Sequence, residues 1–132
     1  METIAKEVAE AEINGWLDYK KIGNAKRDAN TSNINTLVDA VCDGTLVVLP
    51  DKSIKHTLKF ATDGDAPVTE LVYKPRVAVR EINKAMTGVK ADDNDARLIG
   101  YVAAVTGKAK GIIGGLDSVD MSIATSIALF FV

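Results

Sequence analysis

Between residues 53 and 60 apolar and polar side chains alternate. Ile54, His56, Leu58 and Phe60 fall on one side, and Lys55, Thr57 and Lys59 on the other. A period of two predicts a strand with one packed and one wet face, with Ile54, Leu58 and Phe60 directed at the core. The apolar run over 45–49 predicts a partner strand. Pro50, Asp51 and Lys52 supply turn chemistry between the two, so the pair reads as a β-hairpin. A second turn over 61–67 leads into a third strand over 68–73.

On either side of this block the period becomes helical. Ile4, Val8, Ala9 and Ile13 predict a helix over 2–13, which Asn14-Gly15 should interrupt or bend before it resumes near Trp16. Residues 23–33 show no hydrophobic spacing and read as a loop. Asn30, Thr31, Ser32 and Asn33 offer N-caps for a helix carrying Ile34, Leu37, Val38 and Val41, stopped by Asp43-Gly44. After Pro75, Val79, Ile82, Ala85 or Met86 and Val89 predict a third helix. The aspartates of 91–95 cap a fourth, which ends at Thr106-Gly107. Residues 107–115 read as a glycine-rich connector. Asp117 or Ser118 caps a last helix with Val119, Ile123, Ile127, Phe130 and Phe131 on one face. The expected architecture is α+β: one domain over 1–132, with N-terminal helices (1–43), a β-hairpin plus third strand (44–74) and a C-terminal three-helix region (76–132).

The C-terminal stretch is the most apolar in the chain, yet it falls short of the roughly 20 residues that span a bilayer. No membrane partner is expected. The charged start over 1–15 argues against a signal peptide. Cys42 is the only cysteine and sits in an apolar helical pattern, which fits a buried thiol and a reducing, cytoplasmic setting. The formal charge of −2 argues against nucleic acid as a partner.

The chain carries no motif that specifies chemistry. Gly107-Lys108 lacks the preceding glycine and following hydroxyl of a phosphate-binding loop, with Val102 and Ala109 in those places. The short-spaced acids at 63–65 and 92–95 lack the ligand spacing of a calcium loop. His56 is the only histidine and specifies neither a zinc site nor a nucleophile–base pair. No enzyme, cofactor or metal is expected. Two basic clusters are candidates for contact with a partner: Lys74, Arg76, Arg80 and Lys84, and Lys20, Lys21, Lys26 and Arg27 flanked by Trp16 and Tyr19. A solvated face is the plainer reading of both. The candidate partner-binding residues are Trp16, Tyr19, Arg76, Arg80, Lys84, Phe130 and Phe131.

From residue 68 to 132 the order of features resembles the small tail assembly chaperones of long-tailed bacteriophages. An apolar strand passes through Lys74-Pro75-Arg76 into a helix with the charged pair Arg80-Glu81. The next helix, opened by Asp92 and Asp93, runs into Thr106-Gly107. The ending places Leu116-Asp117, a second acid at Asp120, then an apolar helix finishing in Phe130-Phe131. The resemblance implies a protein of the host cytoplasm that coats apolar stretches of the tape-measure protein. Tail-tube protein is a second implied partner, and homo-oligomerisation stays open. It also implies products of two lengths made by ribosomal slippage. A Phe-Phe pair permits the necessary all-thymine run, while two Phe filling a hydrophobic seat is the plain alternative. The other functional expectation is a small virion structural protein: a head–tail connector, tail-terminator or capsid-decorating subunit.

Overall fold

The structure is a computed structural model that describes residues 4–131, so residues 2 and 3 of the first expected helix and Val132 lie outside the described residues. Three helices come first, α1 (Lys6–Tyr19), α2 (Asn24–Ala29) and α3 (Thr31–Cys42). Three strands follow, β1 (Leu46–Val48), β2 (Ile54–Thr57) and β3 (Glu70–Tyr73). The chain then forms α4 (Val79–Ala85), α5 (Asn94–Thr106), α6 (Lys110–Gly114) and α7 (Ser118–Ala128), and closes with a 3-10 turn over Leu129–Phe131. The α+β class is as expected. The helical count is not, because residues 23–33 and 107–115 each hold a short helix.

The three strands form one antiparallel sheet in the order β1-β2-β3, with Val47 opposite Lys55 and Lys55 opposite Val72. Leu46, Ile54, His56, Leu71 and Tyr73 fill the inner face and are fully buried. The outer face is wet, with Lys55 and Glu70 paired across it at 3.5 Å. Helices α1, α3 and α7 pack in succession, α1 and α3 meet the sheet through β1, and α5 bridges α7 and β3. The core is therefore one layer of helices against one face of a small sheet.

Helix α1 continues without a break through Asn14-Gly15. A mid-helix glycine costs about 1 kcal/mol against alanine. Ala9, Ile13, Trp16 and Leu17 lie on one face and are all fully buried, and that packing outweighs the glycine. The helix ends with Lys21 at φ 59°, where Lys21 N–H donates to Asp18 C=O and Ile22 N–H to Leu17 C=O. That is the Schellman pattern with lysine where glycine is usual. Helix α2 buries no side chain, so it shows no hydrophobic period. It is held by polar bonds: Arg27 Nε donates to Ile22 C=O at 2.8 Å, and its Nη2 pairs with Asp18 at 2.8 Å. Helix α6 anchors through one buried residue, Ile113, too little for a pattern to show.

Phe60 corrects the strand reading. It is 55% exposed, while Ile54 and Leu58 point inward as expected. The ladder ends at Thr57, and beyond Leu58 the backbone turns, with the N–H groups of Lys59 and Phe60 donating to the Asp120 carboxylate. Alternation persists only while the chain stays extended. Leu58→Ala is expected to cost about 2–5 kcal/mol in urea unfolding. A variant that melts with the parent would show that this end of the sheet contributes no packing.

Helix α4 also departs from its expected stripe. None of its residues is buried, and Val79 is 72% exposed. It rests on α5, where a Cβ on Gly100 would stand only 3.0 Å from Met86 Sδ. The glycine admits the close approach. Asp93 and Asp117 cap α5 and α7 by accepting from Ala96 N–H and Val119 N–H.

Candidate functional site

The two terminal phenylalanines do not form a contact surface together with Trp16. Trp16 is fully buried and Phe130 is 2% exposed, which removes both from the candidate partner-binding set. Phe130 meets the Trp16 ring edge-on at 5.8 Å, and Phe131 lies tilted to it at 6.1 Å. Burying large apolar side chains of this kind is worth roughly 1.5–3 kcal/mol each. The apolar chain end is thereby docked on α1 of its own chain. Phe131 stays half-buried, with the Lys20 ammonium 3.3 Å above its ring centroid. Partial burial, with the charges of Arg76 and Lys26 close by, brings the Lys20 ammonium down to about 8. Trp16 Nε1 has no hydrogen-bond partner among the described residues.

Beneath the sheet lies a sealed polar cluster. His56, Tyr73 and Asp120 are each fully buried. His56 Nδ1 stands 2.8 Å from the Tyr73 hydroxyl, and Nε2 stands 3.5 Å from Asp120 Oδ1. The carboxylate only accepts, so the ring proton belongs on Nε2 and Nδ1 accepts from Tyr73 O–H. Desolvation lowers the His56 pKa despite the opposing pull of Asp120, so the ring stays neutral. Burial holds the Tyr73 phenol protonated, with its pKa pushed well up. The constellation has the residue types of a proton relay, but none of its three side chains reaches solvent. Its role is to tie α7 to the chain beyond β2: Asp120 Oδ1 accepts from Lys59 N–H at 2.8 Å and Oδ2 from Phe60 N–H at 3.0 Å.

Open depressions lie at the surface instead, and two of them adjoin α5 and α6. A groove of about 230 Å³ runs between α5, α6 and α7, walled by Leu98, Ile99, Ile113, Leu116 and Met121, with Asp95 and Thr125 at its margin. Four of the five apolar walls are half-buried, and Ile113 is buried. A second depression of about 370 Å³ lies between α4 and the α5–α6 corner and is lined by Lys74, Lys84, Lys108 and Lys110.

The expected basic strip is thus divided. Lys74 and Lys84 enter the lysine-lined cleft, Arg76 lies near Lys20, and Arg80 is exposed on α4. Tyr19 is 39% exposed and stays available at the surface. Arg76→Ala, Arg80→Ala and Lys84→Ala combined should leave the melting curve within about 1 kcal/mol of the parent, since solvated charges contribute little. A large loss of stability would make these side chains structural.

Sequence reading missed Asp120 as a buried ligand for backbone and missed Lys108 and Lys110 as members of a cleft. Asp120 left a signal: it falls on the same helical face as Ile123 and Ile127, where a lone acid needs a partner. The lysines left none, because their convergence depends on where α6 turns. Among the described residues no helix is long and apolar enough to cross a membrane, and no group of three acidic, histidine or cysteine side chains is placed to hold a metal. Comparison with protein-family models, with curated proteins and with solved structures finds no match.

Proposed function

We propose that the chain is a phage tail assembly chaperone that covers apolar stretches of the tape-measure protein in the host cytoplasm before the tail tube forms around it. The observation that carries the reading is the apolar groove between α5, α6 and α7. It lies inside the 68–132 region that resembles these chaperones. It offers half-buried Leu, Ile and Met walls and a single acid in its lining. Such a groove suits one apolar face of an amphipathic helix, and methionine adapts to varied side chains. A long helical client without its tube exposes such faces and aggregates.

Co-expression with apolar tape-measure fragments tests the proposal. The fragments should stay soluble only with the chaperone and co-purify with it. Binding should persist at high salt, since salt screens charge and leaves apolar burial intact. Leu98→Asp or Met121→Asp should abolish capture while leaving the chain folded. Fragments that stay soluble alone and never bind would sink the proposal. Recovery of the chain in purified particles would favour a virion structural protein instead.

A further inference from the structure

We propose that the lysine-lined cleft beside α4 is a docking site for an acidic peptide segment of a partner protein. Four lysines line it from four places: Lys74 just after β3, Lys84 on α4, Lys108 in the α5–α6 corner and Lys110 at the start of α6. The single acid in the lining, Glu81, already accepts from Ala78 N–H at 3.1 Å to cap α4. None of the four lysines forms an ion pair among the described residues. Lys110 Nζ gives one hydrogen bond, to Thr87 C=O at 3.2 Å. The cleft therefore carries a strong excess of positive charge that the chain itself does not neutralise.

The fold holds these charges together. Lys74 N–H donates to Val105 C=O at 2.9 Å, fixing the end of β3 against α5. Gly107 turns the chain at φ 71°, and a Cβ there would stand 3.4 Å from Lys74 Cε and 3.6 Å from its Nζ. The glycine leaves the Lys74 stem room to lie across the corner. Like charges assembled in one concavity repel one another and raise the local concentration of anions. The repulsion is relieved when an anion enters.

The chemistry favours carboxylates over phosphate. Phosphate sites are commonly built from free backbone N–H groups or from the guanidinium fork of arginine. Here Gly107 N–H is committed to Ala103 C=O and Lys108 N–H to the Thr106 hydroxyl, and no arginine lines the cleft. Lysine ammonium groups are compact point charges on flexible stems, suited to single carboxylates spaced along a peptide. Between them Ala103 and Ala104 leave a small apolar floor, which accepts aliphatic side chains interleaved with the acids. The site is separate from the groove of the proposed chaperone function, and its failure would leave that proposal standing.

The test uses the full chain and a synthetic peptide of interleaved Glu, Ala and Leu with blocked ends. Amide shifts should move at Lys84, Gly107 and Lys108, and affinity should fall as salt rises. Lys84→Glu with Lys108→Glu should weaken binding by about tenfold or more, as charge reversal does at a complementary surface. The Lys→Gln pair serves in its place if reversal disturbs the fold. Lys6→Glu with Lys90→Glu, outside the cleft, should leave affinity near the parent value. Equal weakening by that outer pair, equal binding of a Gln-for-Glu peptide, or no shifts at the cleft would each overturn the proposal. Pyrophosphate displacing the peptide at lower concentration than free glutamate peptide does would also overturn it, in favour of a phosphate site.

Discussion

Asp120→Ala is expected to destabilise the chain by about 3–5 kcal/mol, the scale for breaking a buried, hydrogen-bonded charge. The carboxylate is fully buried and accepts two backbone hydrogen bonds from a segment 60 residues earlier in the chain. Hydrogen bonds to charged groups are worth roughly 1.5–3 kcal/mol each, and alanine leaves both donors without an acceptor. The His56 Nε2 proton loses its facing carboxylate as well. Asp120→Asn should fall between parent and alanine variant: one amide oxygen still accepts, while the NH2 group faces a donor. Urea unfolding measures the loss, and amide exchange at Lys59 and Phe60 localises it. The parent should also lose stability as pH falls below 6.5, the ordinary histidine value, since the unfolded chain takes up a proton that the buried ring resists. An Asp120→Ala chain that melts with the parent and keeps those two amides protected would refute the assigned role.

Trp16→Ala should cost about 3–5 kcal/mol, as large aromatic truncations in cores do. The indole is fully buried and forms the seat on which Phe130 and Phe131 rest. Its loss should also free the 3-10 turn at Leu129–Phe131, making the end of α7 a site of early proteolysis. Phe130→Ala should destabilise by a similar amount. The double variant should fall short of the sum by about 0.5–1.5 kcal/mol, the usual worth of an aromatic pair. Trp16→Phe keeps a ring in the seat and removes the unpartnered Nε1 donor, so its loss should stay under about 1.5 kcal/mol. Strict additivity of Trp16→Ala and Phe130→Ala would mean that the two rings do not depend on each other.

The residues legible without a structure are those whose role depends on near neighbours in the chain. Ile54 and Leu58 face inward as their period of two predicts, and Leu37, Val38 and Val41 as their helical spacing does; caps are legible in the aspartates of 91–95 and in Asp117 or Ser118, and the structure selects Asp93 and Asp117 from these. Such features are set within one or two turns of backbone, where local sterics and hydrogen bonding act. The tertiary structure decided the rest. Gly15 stays helical because α1 buries a whole face, α2 forms because Arg27 reaches Asp18, and Phe60 turns outward because Asp120 takes its N–H. Trp16 and Phe130 become core because they meet each other, and four lysines become a cleft because α6 turns back beside α4. A hydrophobic period records which face of an element is wet. It carries no record of which distant element covers that face, since such contacts depend on the closure of long loops and on the packing of the whole chain.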